Sequence, residues 1–574
     1  MRKNSMFRIA LMAVVAGLIG LGAACAQKPE PATFVLTNGK FVTLDKDVPA
    51  AEALAARGDK IVAVGSAKDI ARYIGPATEV VDLQGQLATP GWIDSHLHFM
   101  GIGQAKLSLD LTKVKNWDEI VAMVAEAAKN AKPGDSITGR GWHQEKWDKV
   151  PEPNVNGMPF HDALSKVSPN NPVVLTHASG HSSLANAKAM ELAKITAKTP
   201  NPSGGEIIKD AKGRPIGAFL ETAQRIVGGA LYRAAAARTP EEQEAERWKV
   251  IELADKECLS KGLTSVGDAG VGWGTVELYK KVIDQGQLGV RINVMLSESA
   301  KRIAENAAAW KIGEYGADHL SVHTIKRLID GALGPYGAWL LEPYADLPTS
   351  TGLNTDTIEN MKETARVAIE NGFQLATHAI GDRANRETLD IYEEAIKAHP
   401  DKTDVRWRIE HSQHLNPADL PRFGKLGVIA AMQGIHATSD GPWVLKRLGP
   451  KRAEEGAYMW RALIDSGATI SNGTDAPVEA VDALPSFYAS VSRKMKNGEL
   501  FYPAQKMTRE EALRSYTING AYVAFEEKIK GSLTVGKLAD VTVLTKDIMT
   551  CPEDDIPTAE IAYTIVGGKI LYKK

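Results

Sequence analysis

Short apolar runs alternate with polar and helix-like segments along most of the chain, and the two ends share one pattern. Residues 33–45 (TFVLTNGKFVTLD) and 60–66 (KIVAVGS) alternate apolar and polar positions around the turn dipeptide Asn38-Gly39. Residues 531–545 and 562–574 repeat this pattern of short segments punctuated by glycine. Both ends are therefore predicted to form antiparallel strands.

The middle of the chain has a different pattern, in which apolar runs of strand length alternate with amphipathic helical segments such as 360–372 and 386–399. The runs are SITGRGW (136–142), PVVLTHAS (172–179), LTSVGDAG (263–270), RINVML (291–296), HTIKRLIDG (323–331), FQLATHAIGD (373–382), RWRIEHSQ (406–413), VIAAMQGIH (428–436) and TISNGTDAP (469–477). Such alternation favours a parallel α/β architecture, and the best candidate is a closed (β/α)₈ barrel. Residues 141–225 are rich in Pro, Gly and Asn and are predicted to be an insertion.

Composition narrows the class of protein. The chain has 574 residues, of which 44% are hydrophobic, enough for a large core. The net charge of −2 comes from scattered charges of both signs, so neither a nucleic-acid groove nor binding to an anionic membrane surface is indicated. The three cysteines, Cys25, Cys258 and Cys551, form no Cys-x-x-Cys pair, which argues against a thiolate metal site and a disulfide framework.

The first 26 residues are typical of an export signal. Three basic residues precede the apolar run 9–24, and small residues then lead into a polar, proline-containing spacer. Cleavage after residue 26 would give a soluble mature chain that starts at Gln27, whereas the order LGAAC is similar to a lipoprotein signal that lipidates Cys25. We expect an exported protein, periplasmic or extracellular, and favour the soluble form over a lipid-anchored one.

Ligand-competent side chains lie at the ends of the predicted strands. In PGWIDSHLHF (90–99), His96 and His98 are two positions apart and would share one face of a strand. Other predicted strands end in Lys326, His378, His411, His436 and Asp475. Because the carboxyl ends of barrel strands meet at one mouth, these groups are expected to converge. Imidazole and carboxylate ligands without thiolate suit zinc or another divalent first-row metal.

Several of these segments resemble one family. The motifs PGWIDSHLH, IKRLIDGALG, THAIGDRA, RIEHSQ, MQGIHAT and GTDAP are similar to those of the amidohydrolase superfamily, in particular its amidohydrolase-3 or exoenzyme-regulatory-protein-like branch. The resemblance extends from about residue 34 to the C-terminus. It implies a (β/α)₈ barrel at 89–525, interrupted by the insertion at about 141–225, and a small β-sandwich formed by 27–88 and 526–574.

The resemblance also implies a role for each strand-end residue. His96, His98 and Asp475 would bind a first metal, His378 and His411 a second, and Lys326, in the pattern Lys-x-x-x-Asp-Gly, would be carboxylated and bridge the two. His436 and His181 resemble pocket histidines that hold a substrate carbonyl or its oxyanion. His143 is a further candidate for the pocket wall.

The implied chemistry is hydrolysis of an amide-type, non-peptide carbon–nitrogen bond by attack of a metal-bound hydroxide. A metal lowers the pKa of its bound water from about 15.7 to about 7, and Asp475 would serve as general base and then general acid. Two zinc ions are the expected cofactors, with manganese, cobalt or iron as alternatives. The expected partner is a small-molecule substrate, and a homodimer is compatible with the sequence.

Three other functions stay open at this stage. A mononuclear deaminase would share the barrel and most of the ligands, although such enzymes usually lack a bridging lysine. An esterase or lactonase could use the same two metals. A catalytically silent exported binding protein could keep the scaffold, although all six presumed ligands are present.

Overall fold

A parallel β-barrel forms the centre of the computed structural model, which describes residues 29–235 and 239–574. Within those residues eight parallel strands pair in sequence order and form a nearly closed barrel, as predicted. The strands are β1 (Trp92–Leu97), β2 (Leu263–Val271), β3 (Arg291–Leu296), β4 (Leu320–Leu328), β5 (Gln374–Ala379), β6 (Arg408–His411), β7 (Ile429–Met432) and β8 (Ile470–Asn472). A short strand, Ile312–Tyr315, pairs antiparallel with β4.

Helices surround the strands, and many begin at a residue whose side chain caps the first turn. Thr239 precedes Pro240 and forms a capping box with Glu242, which satisfies backbone N–H groups at the start of the longest helix described. The helices that accompany the barrel are Phe99–Lys106, Pro240–Ser260, Trp273–Asp284, Ala300–Trp310, Ile358–Glu370, Asp382–Ala398, Leu420–Leu426, Gly434–Leu448, Pro450–Gly456, Trp460–Asp465, Ala483–Ser492, Arg509–Ser515 and Ile518–Val523.

Two apolar runs that the sequence grouped with the others belong to another sheet. The runs at 136–142 and 172–179 do form strands, but in a six-stranded sheet inserted between β1 and β2. Its strands, in spatial order, are Gly205–Lys209, Pro215–Glu221, Ser182–Ala185, Val173–His177, Ile137–Trp142 and Leu109–Asp110. This sheet has a hydrophobic core of its own, which includes Trp142 and Leu175. It starts at Leu109, upstream of the boundary expected at about 141.

Helices also pack against the inserted sheet and the chain-end strands. They are Ala67–Ala71, Trp117–Asn130, Asp162–Val167, Ala187–Leu192 and Gln224–Ala235, and a 3₁₀ turn lies at Gln144–Lys146. Two further 3₁₀ turns, Pro503–Gln505 and Glu553–Thr558, contact helices of the barrel. A two-stranded ribbon joins Asn154–Val155 to Met158–Pro159.

Both ends of the chain contribute strands to one six-stranded sheet, in the order Lys569–Lys573, Ile561–Val566, Val541–Leu544, Leu87–Pro90, Lys40–Val42 and Ala50–Ala51. A four-stranded sheet, in the order Lys60–Gly65, Ala53–Arg57, Phe34–Thr37 and Glu79–Asp82, shares a core with it. That core joins Phe34 and Leu54 to Val541 and Ile565.

A buried ion pair ties the chain-end sheets to the barrel. Arg291 of β3 donates to both carboxylate oxygens of Asp540, at 2.8 and 3.1 Å, and the two side chains are 2% and 4% exposed. Burial alone would raise the pKa of Asp540, but the guanidinium of Arg291 holds it below its usual range. The pair therefore stays charged inside the protein and links the two layers.

Hydrogen bonds between the first and last strands close the barrel at its mouth. Asp475 N donates to His96 O at 2.8 Å, and His98 N donates to Ala476 O at 2.7 Å. The approach leaves no room for a side chain at Gly473, where a Cβ would lie 2.7 Å from His96 N. A glycine at this position therefore lets the two strand ends meet.

The predicted export segment, with Cys25, lies outside the described residues, so export stays a prediction. Among the helices that the structure describes, none has both the length and the apolar character needed to cross a membrane.

The Arg291–Asp540 pair gives a test of how the layers are joined. We expect Asp540→Asn to lower the free energy of unfolding by about 3–5 kcal/mol, because it leaves a buried guanidinium without its counter-charge. Glu394→Gln is the control, because the Lys362–Glu394 pair is 48% and 63% exposed. Its stability should stay close to that of the wild type, since exposed ion pairs contribute little. Urea unfolding measures both, and equal losses would contradict the assignment.

Candidate metal centre

The residues expected at the mouth of the barrel do lie there, although they come from different kinds of element. Lys326 is inside β4, His378 is in β5 and His411 is the last residue of β6. Asp475 follows β8 by three residues. His436 differs from the expectation, since β7 ends at Met432 and His436 lies in the first turn of the next helix, Gly434–Leu448.

One group of ligand atoms joins β1 to the segment after β8. His98 Nε2 lies 3.2 Å from Asp475 Oδ1, and His96 Nε2 lies 3.6 Å from the same oxygen. These three side chains are close enough together to hold one metal ion.

A second group uses the same carboxylate. His411, His436 and Asp475 also bring their ligand atoms within range of a single ion. His378, expected in this group, lies beside it, with its ring 4.5 Å from that of His411 and its Nε2 3.5 Å from Asp330 Oδ1. Asp475 is thus the side chain that both groups share.

Lys326 lies beside the first group. Its Nζ is 3.4 Å from His96 Nε2, and the residue is 3% exposed. Burial lowers the pKa of Lys326 to about 8, because the protein interior disfavours the ammonium. Burial therefore shifts this lysine toward its neutral form.

The backbone is left-handed at two of the ligand positions. Asp475 has φ 57° and His411 has φ 74°, values that non-glycine residues rarely adopt. In β6 the side chains alternate, so Glu410 and His411 would point to opposite faces of a regular strand. The left-handed turn at His411 ends the strand and lets its ring join those of His378 and His96 at the mouth. Backbone strain of this kind concentrates at functional sites.

Each of three site histidines has an acceptor at Nδ1. His98 Nδ1 lies 2.8 Å from the carbonyl oxygen of Ala269, and His411 Nδ1 lies 2.8 Å from Gln433 Oε1. His96 Nδ1 is hydrogen-bonded to the carboxylate of Glu410. An acceptor at Nδ1 places the proton there and leaves the Nε2 lone pair available to a metal.

The charge states suit metal binding. Burial, with Lys326 adding to it, lowers the pKa of His96 to about 4, so the ring is neutral at pH 7. Burial alone would raise the pKa of Asp475, but His98 and the other imidazoles nearby hold it well below its usual range. Neutral imidazole and ionised carboxylate are the forms that bind divalent metals.

Unpartnered atoms test whether a metal fits. Three buried atoms have no hydrogen-bond partner, namely Asp475 Oδ1, His378 Nε2 and His436 Nε2. In folded proteins most buried polar atoms do have a partner. All three face the same cleft. Nitrogen and oxygen donors without sulfur fit Zn²⁺, Mn²⁺, Co²⁺ or Fe²⁺.

An open cleft lies over this centre. Its walls include His143 and His181 from the inserted segment, and His436 from the barrel. His181 Nδ1 is 2.7 Å from the carboxylate of Glu221, a buried residue with φ 48°. The inserted sheet therefore supplies part of the wall that a substrate would meet.

Three acidic residues at the site were not identified from the sequence. They are Glu410, Glu221 and Asp330, the last of which accepts hydrogen bonds from the backbone N–H groups of Trp339, Ile380 and Gly381. The segment RIEHSQ carried a usable signal for Glu410, because Arg408 and Glu410 are charged residues on one face of an otherwise buried strand.

Comparison with known proteins identifies the family. The model described as "Amidohydrolase family" matches residues 79–572, most of the chain. This chain belongs to the amidohydrolase family.

Relatives match this amidohydrolase over nearly its whole length. Protein LONG AFTER FAR-RED 3 of Arabidopsis thaliana is 32% identical, covering 94% of this chain and 92% of the relative. N-substituted formamide deformylase of Arthrobacter pascens is 27% identical, covering 94% and 98%. Among solved structures, an uncharacterized metal-dependent hydrolase from Pyrococcus furiosus has a TM-score of 0.69 at 27% identity, covering 90% and 100%.

The geometry predicts which histidines retain metal. His96→Ala should lower the metal content of the purified protein by about one ion per chain, because it removes a nitrogen ligand from a three-residue group. His399→Ala, at the end of the helix Asp382–Ala398, is the control and should keep the wild-type content. Elemental analysis after gel filtration measures both, and wild-type content in His96→Ala would refute the group.

Proposed function

We propose that this amidohydrolase is a metal-dependent enzyme that hydrolyses an amide-type, non-peptide carbon–nitrogen bond. The observation that carries the proposal is the position of Asp475 in the cleft. Its carboxylate is common to both groups of possible metal ligands, one with His96 and His98 and the other with His411 and His436. The name of the Arthrobacter relative, N-substituted formamide deformylase, supports an amide as the substrate.

A bound divalent metal would polarise the substrate carbonyl and lower the pKa of water from about 15.7 to about 7. Asp475, ionised and at the junction of both groups, accepts a proton from the attacking water. It then returns this proton to the leaving nitrogen, acting first as general base and then as general acid.

Two histidines on the cleft wall hold the substrate. His436 Nδ1 lies 2.9 Å from Gln413 Nε2, and its unpartnered Nε2 faces the cleft. His181 is fixed by Glu221 on the opposite side of its ring. Both rings are placed to contact a carbonyl oxygen on which negative charge develops.

Lys326 is proposed to be carboxylated and to bridge two metals. The geometry that supports this is its burial and its position 3.4 Å from His96 Nε2. Carboxylation would add CO₂ to the neutral amine with loss of one proton. The resulting carbamate would carry one negative charge shared by two oxygens, which could serve as metal ligands.

Matched substrates and chelation test the proposed reaction. The metal-quantified enzyme is incubated with N-formyl amines, N-acyl amino acids, cyclic amides and lactones, each amide paired with its ester analogue. We expect hydrolysis of at least one amide class, loss of activity on chelation, and recovery with Zn²⁺, Co²⁺ or Mn²⁺. Activity that survives complete metal removal, turnover of esters or lactones alone, or deamination of a ring amidine would contradict the proposal.

Two variants separate the bridging lysine from the proton carrier. Lys326→Ala should drop the metal content toward one ion per chain. Asp475→Asn should retain part of the metal and slow turnover by roughly 10²-fold or more, because general acid–base catalysis is lost. Lys530→Met is a control for removing a buried lysine, since Lys530 is 4% exposed and pairs with Glu526 away from the mouth. Two metals and normal turnover in Lys326→Ala would exclude the carbamate.

A further inference from the structure

We propose that Glu410 is a positioning residue that orients His96 for metal binding, with its proton on Nδ1 and the Nε2 lone pair facing the mouth. The inference rests on the proposed function, because it assigns His96 to a metal. It adds Glu410 as the residue that fixes the ring of His96, and it assigns Arg408 as the cation that pairs with the Glu410 carboxylate.

The first support is the geometry of the carboxylate. Glu410 is completely buried, and its two oxygens are both used, one by Arg408 Nε and the other by His96 Nδ1. A carboxylate accepts and does not donate when ionised, so the proton of this hydrogen bond lies on His96. The arrangement leaves Nε2 to face Asp475 Oδ1, 3.6 Å away, and Lys326 Nζ, 3.4 Å away.

Arg408 provides the second support. It lies two residues before Glu410 on the same face of β6, is 1% exposed, and donates through Nη2 both to Glu410 Oε2 at 2.9 Å and to Ser95 O at 3.0 Å. Ser95 immediately precedes His96. The guanidinium thus balances the charge of Glu410 and fixes the backbone of β1 beside the ring that Glu410 holds.

Comparison with the neighbouring ligands shows what is particular to His96. His98 and His411 have neutral acceptors at Nδ1, the carbonyl of Ala269 and the amide oxygen of Gln433. Of these three rings, His96 alone has an ionised acceptor at Nδ1. A carboxylate in this place makes the imidazole a more basic ligand, and loss of such a partner typically costs 10–100-fold in metal affinity.

The alternative is that Glu410 serves only as half of a buried ion pair. The Arg291–Asp540 pair provides a matched control, because it is equally buried and bidentate but contacts no histidine through its carboxylate. Removing either carboxylate charge disturbs a buried pair, whereas only one of them should disturb the metal.

The experiment compares Glu410→Gln and Asp540→Asn for metal affinity, by competition with a chelator, and for the visible spectrum of the Co²⁺-loaded protein. A double variant, Arg408→Met with Glu410→Gln, removes both charges and avoids an unpaired buried guanidinium. We expect Zn²⁺ affinity to fall 10–100-fold in both Glu410 variants, with a changed Co²⁺ spectrum. Asp540→Asn should keep the wild-type affinity and spectrum.

Wild-type affinity and spectrum in the folded double variant would overturn the proposal, as would an equal loss of affinity in Asp540→Asn. If neither Glu410 variant folds, ¹⁵N-histidine NMR of the metal-free wild-type protein decides, with a proton on Nδ1 of His96 supporting the proposal and a proton on Nε2 overturning it. No readout uses turnover. Reduced metal affinity in a protein that hydrolyses no amide would therefore support the role of Glu410 and refute the proposed reaction.

Discussion

The hydrogen bonds that close the barrel between β1 and β8 hold the metal centre together. The carboxylate of Asp94 accepts from the backbone N–H of Thr474, at 3.1 Å, and from its hydroxyl, at 2.6 Å, across 380 residues of sequence. These contacts bring Asp475 against His96 and His98. Every other part of the site, from the shared carboxylate to the cleft above it, depends on this junction.

The buried carboxylates of the site fall into two groups that differ in the direction of their pKa shift. Burial raises the pKa of Asp94 to about 7 and that of Asp330 to about 8, since backbone and hydroxyl groups are their main partners. Glu410 and Asp475 are also buried, and burial alone would raise the pKa of each. Arg408 and His96 instead hold the pKa of Glu410 below its usual range, and His98 and His411 hold that of Asp475 well below its usual range. Ionised carboxylates thus lie beside the imidazoles that would bind a metal, and the others are structural acceptors.

The sequence was sufficient for the barrel because apolar runs and helical periods are local signals. It also predicted that His96, His98 and Asp475 lie at one mouth of the barrel, since strand ends converge in this fold. It grouped 136–142 and 172–179 with the central series of strands, because a buried strand has the same local pattern in any sheet. The second run nevertheless lies within the predicted insertion at about 141–225. The sequence patterns also missed Glu410, although Arg408 and Glu410 lie two positions apart in β6. The contact of Glu410 with His96 joins residues far apart in the sequence, and no local spacing reveals it. His378 stays a predicted ligand beside the group of His411, His436 and Asp475. His436 joins that group because a helix begins at Gly434, which is a tertiary feature.

Anomalous diffraction at the zinc edge, from crystals of the Zn²⁺-loaded protein, tests the metal centre most directly. We expect a peak within about 2.0–2.2 Å of His96 Nε2 and of the Asp475 carboxylate. A zinc peak bound elsewhere, with His96, His98 and Asp475 making no contact to metal, would contradict the assignment of this site.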